Sequence, residues 1–437
     1  MSIDMERYYD KKTECMSSGE MRSLQSERLV KLVKYVYENN KVYHDKMDNE
    51  KVKPSDIKSI DDIVKLPFTT KQDLRGNYPF GMFTAPKKDI VRLHASSGTS
   101  GKLTVVGYTK NDLEIWSECA ARALVSAGVT EDSIVHIAYG YGLFTGGLGI
   151  HYGAEKLGAI AVPASSGNTT RQISLMSDFG ADTLCCTPSY ALYLGEALES
   201  SENKLLNLKI GIFGAEPWSD TMRKKIEKIL GIKAYDIYGL SEIAGPGVAM
   251  ECSEQSGCHI YEDHFYPEIL DTKTLEPLNY GEKGELVFTT LTKEGIPLIR
   301  YRTRDLTKLK KETCSCGRTL VKMGRIIGRS DDMLIIRGVN VFPSQIETVL
   351  LNFSEGILPH YEIFIDRINS TDYFEIRVEM NESIFSDEVK KIEIIKKQIE
   401  SELQSALGIS VNVKLVAPNS LPRYEGKAKR IIDNRKY

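Results

Sequence analysis

The 437-residue chain has little net charge and no long uninterrupted hydrophobic run. Its 57 basic and 60 acidic residues leave a net charge of −3, so we expect no general attraction to nucleic acid or to an anionic membrane. The most apolar stretch, residues 136–164, is interrupted by glycines and by His151, Glu155 and Lys156, which favours a buried segment over a membrane span. The first residues, MSIDMERYYDKKTE, are charged, so no secretory signal is expected and a cytoplasmic location is predicted.

Cysteine is also scarce, with eight residues in the whole chain. In a long chain without a secretory signal, cysteines indicate reduced thiols or a metal site rather than a disulfide framework. The hydrophobic content of 41% is enough for a large core and for more than one domain.

A Walker A loop is absent from the stretch that most resembles a phosphate-binding loop, HASSGTSGKLTVVGYT at residues 94–109. That motif would need glycine at Ser96 and serine or threonine at Leu103, so a P-loop phosphotransferase is disfavoured. Glycines that turn backbone N–H groups inward, hydroxyl donors and one lysine nevertheless indicate a site for polyphosphate, although such small residues also form simple turns. The candidate phosphate-binding residues are Ser96, Ser97, Gly98, Thr99, Ser100, Gly101 and Lys102.

Between residues 90 and 240, short β-rich segments such as SIVHIAY, ADTLCCT and LKIGIFGAE alternate with helical patterns. This alternation predicts a mostly parallel sheet covered by helices, with binding loops at the strand ends. Nearer the start, Leu29, Leu32, Val33 and Val36 share one face of a predicted amphipathic helix that ends at residues 39–40.

A domain boundary is predicted between residues 328 and 329, which divides the chain into a large α/β domain (1–328) and a small α+β domain (329–437). Beyond it, hydrophobic residues alternate around 361–365, 374–380 and 409–415, which predicts three half-buried strands. Between the last two, a helical stripe begins near Ser386 and is ended by Gly408.

Five further segments follow one another in the order typical of one superfamily. They are GAEP (residues 214–217), DIYGLSE (236–242), YRTRDL (301–306), GRSDDMLIIRGVNVFPSQIE (328–347) and PRYEGKAKR (422–430). Over nearly its whole length the chain therefore resembles the adenylate-forming superfamily of acyl-CoA synthetases, adenylation domains and luciferases. The segments YGYGLFTGG, YEDHFYPEI and LIRYRTRDLT look like those of the phenylacetate–CoA ligases.

This resemblance implies an ATP-dependent ligase. An aryl acid, phenylacetate above all, attacks the α-phosphate of ATP to give acyl-AMP and pyrophosphate, and the CoA thiol then displaces AMP. The resemblance also implies that Mg²⁺ binds together with ATP, that CoA is a co-substrate and that the protein forms a homodimer. The alternatives are another aryl acid such as indoleacetate, transfer to a carrier-protein thiol, and a noncatalytic, zinc-stapled nucleotide-binding module.

The resemblance also assigns roles to individual residues. Ser241 would bond the α-phosphate and Glu242 would hold Mg²⁺, although this pair is also typical of a helix cap. Lys427 would enter the site for adenylation and leave it when the small domain turns about the hinge residue Asp331. The other residues that the resemblance places around ATP are Gly214, Ala215, Glu216, Pro217, Asp236, Ile237, Tyr238, Gly239, Asp305, Ile326 and Arg329.

Two further assignments leave alternatives open. Asp305 is the expected acceptor for the ribose hydroxyls, and its alternative is a salt bridge to Arg302 or Arg304. Tyr139 and Phe144 are the candidates for the aryl-acid pocket, because aromatic rings beside glycines leave room for a flat ligand, but they are equally compatible with core packing.

A second constellation of residues has the composition of a metal site. Cys252, His259, Cys314 and Cys316 form a three-thiol, one-imidazole set suited to structural Zn²⁺, with buried free thiols as the alternative. Neighbouring side chains of an extended segment point to opposite faces, so Cys258 is the substitute for His259 rather than its companion.

Overall fold

The computed structural model describes residues 7–96, 103–199, 207–331, 334–337, 339–353, 357–368, 371–381, 389–422 and 430–435. The α-helices in these ranges are α1 (Lys11–Glu14), α2 (Ser18–Asn39), α3 (Lys41–Asn49), α4 (Lys71–Gly76), α5 (Lys110–Ser126), α6 (Gly146–Leu157), α7 (Thr169–Phe179), α8 (Pro188–Glu199), α9 (Asp220–Leu230), α10 (Pro343–Asn352) and α11 (Val389–Leu407). Short 3₁₀ turns cover Pro54–Asp56, Ile60–Lys65 and Lys87–Asp89.

The strands follow the same chain order. They are β1 (Arg92–Ser96), β2 (Thr104–Tyr108), β3 (Ile134–Ile137), β4 (Ile160–Val162), β5 (Thr183–Cys186), β6 (Ile210–Gly214), β7 (Lys233–Leu240), β8 (Gly245–Glu251), β9 (Cys258–Ile260), β10 (Phe265–Leu270), β11 (Gly284–Thr290), β12 (Tyr301–Thr307), β13 (Leu309–Lys310), β14 (Lys322–Met323), β15 (Gly328–Arg329), β16 (Leu334–Ile336), β17 (Val339–Val341), β18 (Ile357–Ile368), β19 (Thr371–Met380), β20 (Asn412–Val416) and β21 (Ile431–Asp433).

The central sheet has the order β13-β14-β9-β8-β7-β6-β5-β3-β4. Strands β3 to β7 pair in parallel, as the alternation of strands and helices predicts. From β8 onward the pairing is antiparallel, which the sequence pattern did not predict. The carboxyl ends of β5, β6 and β7 therefore meet at one edge, which is where α/β proteins place their ligand sites.

A second sheet of the large domain has the order β10-β11-β12-β15. Because β12 runs directly into β13, the chain passes there from this sheet to the edge of the central one. Its last strand, β15, lies at the predicted domain boundary and still pairs with β12. The boundary itself stays a prediction.

The predicted amphipathic helix is confirmed as α2. Its N-cap Ser17 accepts a hydrogen bond from the backbone of Glu20, and the Glu20 carboxylate accepts one in return, which satisfies two backbone donors at the helix start. Leu29, Val33 and Val36 are fully buried. Along the described ranges, none of the helices combines the length and the apolar composition needed to cross a membrane.

The small domain is built on the sheet β20-β19-β18-β21. Its two long strands are confirmed where the alternation predicts them, and their inward residues Ile363 and Ile376 are paired and fully buried. The third predicted strand begins later than expected, at Asn412, because Val411 packs into the core without joining the ladder. Strand β21 was not predicted, since three residues are too few to show a period.

We predict that Ile376→Ala will destabilise the small domain by about 2–5 kcal/mol, because it leaves a cavity among fully buried side chains. The matched control is Ile394→Ala on α11, where the side chain is 58% exposed and a change below about 0.5 kcal/mol is expected. Urea unfolding followed by circular dichroism measures both variants. Equal midpoint shifts would contradict the burial assigned to Ile376.

Candidate functional site

Two of the predicted site segments lie side by side at the end of the parallel strands. GAEP ends β6 and DIYG lies in β7, and the register pairs Gly214 with Ile237. A Cβ atom on Gly214 would lie 2.2 Å from the carbonyl oxygen of Ile237, and one on Gly239 would lie 1.7 Å from that of Gly245. Only glycine fits at these two positions, so the close approach of the strands depends on them.

The loop predicted to hold phosphate is framed by β1 and β2, whose register pairs Ser96 with Thr104. The two ends of the loop are therefore held together, and Ser96 itself faces the site. The other predicted loop residues, Ser97, Gly98, Thr99, Ser100, Gly101 and Lys102, lie outside the described residues, as does Lys427.

Ser241 and Glu242 lie in a turn that leads directly into β8. The alternative that they cap a following helix is therefore wrong. Both residues are buried, at 7% and 4% exposure. The Ser241 hydroxyl shares a hydrogen bond of 2.9 Å with that of Thr145, and the Tyr108 hydroxyl donates to the Ser241 carbonyl oxygen at 3.0 Å.

The Glu242 carboxylate is surrounded by positive charge and donors. Its Oε1 atom lies 3.2 Å from the Lys71 ammonium and accepts a hydrogen bond from the Ser96 hydroxyl at 3.1 Å. On the backbone side, the buried Lys293 ammonium donates to the carbonyl oxygens of Glu242 and Ile243 at 2.8 and 2.7 Å. Burial lowers the pKa of Lys293 to about 8.

Lys71, Thr145 and Lys293 contact predicted site residues but were missed by the sequence analysis. Each belongs to a segment distant in sequence from residues 241–242, and none has a local pattern that marks it. Thr145 lies inside YGYGLFTGG, where only Tyr139 and Phe144 were predicted to contact a ligand. Long-range pairing alone brings these side chains to the site.

Three predicted nucleotide-binding residues form one hydrogen-bonded group. The Tyr238 hydroxyl donates to Oδ2 of Asp305 at 2.7 Å, and the Arg329 guanidinium donates to Oδ1 at 3.0 Å. The register of β12 and β15 places Asp305 opposite Arg329. Arg302 and Arg304 both contact Glu285 instead, so the alternative salt bridge of Asp305 to either arginine is wrong.

Arg329 also contacts the predicted hinge residue. Its Nε and Nη2 atoms donate to the two carboxylate oxygens of Asp331 at 2.9 and 3.1 Å. One guanidinium thus links the Asp305 carboxylate to the residue predicted as the hinge.

The remaining predicted residues lie near the same edge but with different exposure. Ala215 and Pro217 are exposed, Glu216 is half-buried, and Ile326 packs against the main core. Tyr139 is buried in that core at 4% exposure, whereas Phe144 is 44% exposed and its ring lies over Gly146. The two aromatic side chains therefore occupy different environments, and the aryl-acid pocket stays a prediction.

The Cys/His constellation forms a separate cluster at the antiparallel end of the central sheet. The ligand atoms of Cys252, His259, Cys314 and Cys316 all lie within 4.8 Å of one another, and all four side chains are buried. Cys258, on the opposite face of β9, donates from its thiol to the carbonyl oxygen of Asp236 at 3.5 Å.

Comparison with known proteins places these residues in a family. The sequence model of the AMP-binding enzymes matches residues 18–291, and that of the AMP-binding enzyme C-terminal domain matches residues 338–435. The phenylacetate-coenzyme A ligase of Escherichia coli is 51% identical over 426 residues, covering 97% of each chain. That of Thermus thermophilus is 48% identical over 98% of this chain and 100% of its own. The chain belongs to the phenylacetate-CoA ligase family of AMP-binding enzymes. The predicted resemblance is confirmed.

Solved structures of a more distant ligase of AMP-binding type agree. A 2-hydroxyisobutyryl-CoA ligase in the postadenylation state with 2-HIB-AMP has a TM-score of 0.91 at 30% identity, over 98% of this chain and 92% of its own. The same ligase with 2-HIB-AMP and CoA in the thioesterification state has a TM-score of 0.73 at 30% identity, over 98% and 93%. The predicted fold class, a large adenylate-forming α/β domain with a small α+β domain, is confirmed.

A carboxyl group in this site gives a pH prediction. Burial, followed by the neighbouring Glu251 carboxylate, raises the pKa of Asp236 to about 7. Between about pH 4 and pH 7 the folded state therefore holds a proton that the unfolded state has lost, so stability falls as the pH rises through this window. The contribution is at most about 1.4 kcal/mol per pH unit.

We expect Asp236→Asn to remove this part of the pH dependence, so that its stability relative to the wild type is higher at pH 8 than at pH 5. Urea unfolding at the two pH values measures the difference. The exposed Asp178→Asn is the control, and its stability relative to the wild type should stay constant. A parallel pH dependence in Asp236→Asn and wild type would show that Asp236 is not the titrating group.

Proposed function

We propose that the protein is an AMP-forming ligase that activates phenylacetate as acyl-AMP and transfers the acyl group to CoA. The observation that carries the proposal is the match to four phenylacetate-coenzyme A ligases at 48–51% identity, over at least 96% of this chain and of each relative. Such a match includes both domains, so it extends to the parts needed for both half-reactions.

The nucleotide would bind at the edge where β6 and β7 end. Asp305, oriented by Tyr238 and Arg329, presents a carboxylate to the ribose hydroxyls. Residues 214–217 and 236–239 would line the adenine, where the glycines allow close approach of the base. Ser241 would donate its hydroxyl to the α-phosphate, and residues 96–102 would hold the β- and γ-phosphates.

Glu242 would hold Mg²⁺ together with the phosphates. The fit rests on its chemistry: a buried carboxylate beside a hydroxyl oxygen suits a hard cation, which would replace the Lys71 ammonium at the same oxygen. When bound with ATP, Mg²⁺ neutralises charge on the phosphate oxygens. Lys293 fixes the backbone of Glu242 and so keeps its carboxylate aimed at the site.

Lys427 would bridge the carboxylate and the α-phosphate during adenylation, and the small domain (329–437) would then turn about Asp331 to admit CoA. Two domain arrangements are supported by the comparison with one ligase in two states. Over the same 98% of this chain, the TM-score is 0.91 with its postadenylation state and 0.73 with its thioesterification state. We infer that this chain has the domain arrangement of the postadenylation state.

Substrate choice is the finer part of the proposal. Tyr139 and Phe144 are the proposed contacts of the aryl acid, with indoleacetate as the other aryl acid considered. Free CoA is favoured over a carrier-protein thiol because the close relatives are all named as coenzyme A ligases. A noncatalytic nucleotide-binding module is disfavoured because Glu242 and Lys427 are both present.

The expected activity is release of AMP, not ADP, that depends on both CoA and phenylacetate. Chromatography of the products over a panel of aryl and aliphatic acids measures it, with phenylacetyl-CoA as the main thioester. Acid-dependent pyrophosphate exchange without a CoA product would favour a carrier-protein acceptor. No turnover of any acid would rule out the ligase.

We further propose that the Cys/His cluster holds a structural zinc ion. Tetrahedral Zn²⁺ with Zn–S bonds of about 2.3 Å and Zn–N bonds of about 2.0–2.1 Å separates sulfur atoms by about 3.8 Å and sulfur from nitrogen by about 3.6 Å. The sulfur atoms of Cys252 and Cys314 are 3.9 Å apart, and Cys316 lies 3.5 Å from Nε2 of His259. Arg318, 3.7 Å from the Cys316 sulfur, would offset the single negative charge that remains when Zn²⁺ binds three thiolates and a neutral histidine.

A zinc content of about one ion per chain is expected by elemental analysis. Cys314→Ser should lose the zinc and lower the melting temperature, because the ion would tie the loop after β13 to β9. Cys258→Ser is the matched control, a buried thiol outside the cluster that should retain the zinc. Loss of zinc from Cys258→Ser but not from His259→Ala would instead identify Cys258 as the fourth ligand.

The proposal also includes a homodimer in the cytoplasm that takes part in phenylacetate catabolism. These parts are supported by the family membership alone.

A further inference from the structure

The Arg430 side chain of the small domain contacts the large domain beside one of the proposed nucleotide-binding segments. It lies three residues after Lys427 in the sequence. Its Nη2 atom donates to the Ser189 hydroxyl, at the start of α8, at 3.0 Å. Ser189 in turn donates its backbone N–H to the Glu216 carboxylate of GAEP at 2.7 Å.

Glu216 belongs to the same charge group. Burial raises the pKa of the Glu216 carboxyl, and the nearby Arg430 guanidinium partly offsets that rise. The large domain therefore offers Arg430 a hydroxyl acceptor and a desolvated acidic group, both beside a segment that we place against the adenine.

Within its own domain Arg430 is held from two sides. Its Nη1 atom donates to the carboxylate of Glu347 on α10 and to the Tyr361 hydroxyl at 3.2 Å, and the guanidinium lies 4.6 Å from the centre of the Tyr361 ring. The carbonyl oxygen of Arg430 accepts a hydrogen bond from the Ile363 backbone at 2.7 Å. Side chain and backbone thus have a fixed orientation on the small domain.

This arrangement suits a contact that must form and break. Leaving a guanidinium without a partner is costly in a buried setting, but Glu347 and Tyr361 belong to the same domain and would move with it. Of the interactions of Arg430, separation of the domains would therefore remove the hydrogen bond to Ser189 and the electrostatic attraction to Glu216. The contact is specific to one domain arrangement while the charge stays paired in both.

We propose that Arg430 is a positioning residue that docks the small domain for adenylation and is released for thioester formation. The inference rests on the proposed function and deepens it. Docking through Arg430 holds the small domain against Ser189 beside GAEP, at a position three residues from Lys427 in the sequence, so it should affect the half-reaction that needs Lys427. It should not affect the half-reaction that follows domain rotation.

The test separates the two half-reactions in the full-length enzyme. Adenylation is measured by phenylacetate-dependent exchange of pyrophosphate into ATP, and transfer by single-turnover conversion of supplied phenylacetyl-AMP to phenylacetyl-CoA. We expect Arg430→Ala to slow adenylation about tenfold or more, the effect of losing a charge-assisted hydrogen bond, and to change transfer by less than about threefold. Arg430→Lys should restore part of the adenylation rate.

Arg377→Ala is the matched control. This arginine also lies in the small domain, donates to Glu375 at 2.9 Å and stacks 4.5 Å from the Phe364 ring, but the partners that it contacts belong to its own domain. It should leave the ratio of the two half-reaction rates unchanged. Ser189→Ala tests the contact from the large domain without disturbing a charge, and should lower adenylation alone by about threefold.

The positioning role would be overturned if Arg430→Ala and Ser189→Ala slowed adenylation and transfer equally. It would also be overturned if Arg377→Ala slowed adenylation and spared transfer to the same extent as Arg430→Ala. Unchanged adenylation in both Arg430→Ala and Ser189→Ala would do the same. Failure of the proposed function gives a different result, since the wild-type enzyme itself would then show no phenylacetate-dependent exchange.

Discussion

The parallel backbone ladder that joins β5, β6 and β7 is the constraint on which the site depends. Its hydrogen bonds place Gly214 beside Ile237 and bring the ends of two strands to one edge of the sheet. A side chain at Gly214 or Gly239 would overlap a backbone oxygen, so the spacing of the strands allows little variation. The segments proposed to hold adenine and the α-phosphate stand at the ends of these strands. The hydrogen bonds of the ladder therefore determine where these segments lie.

Charge balance is the second organising feature of the site. Glu242 and Asp305 are almost completely buried, yet each has a cation within hydrogen-bonding distance, Lys71 for the former and Arg329 for the latter. A buried carboxylate without such a partner would be costly. The same cations lie where phosphate and ribose are expected, so the groups that stabilise the two buried carboxylates also suit the recognition of an anionic ligand.

Sequence patterns predicted the parts of the fold that depend on local periodicity. The five parallel strands and the buried faces of β18 and β19 follow from alternation, and the four cluster residues were chosen from ligand type and strand geometry alone. Contacts between distant segments left no such pattern: Lys71 approaches Glu242 across 171 positions of the numbering and Arg430 approaches Ser189 across 241. The antiparallel pairing of β8, β9, β14 and β13 was not predicted for a related reason. Two of these strands, β13 and β14, are only two residues long and show no period. Such contacts depend on how distant segments of the chain pack against one another.

The position of the Cys/His cluster in the chain has a consequence for synthesis on the ribosome. Cys252 and His259 precede Cys314 by 62 and 55 positions, and Arg318 beside the cluster pairs with Glu14 near the start of the chain. At about 5–20 residues per second, the first two side chains emerge roughly 3–12 s before Cys314 and Cys316, which complete the set. During that interval the nascent chain has Cys252 and His259 without the other two cluster residues, and Glu14 without Arg318, so this corner of the large domain cannot close until residue 318 has emerged.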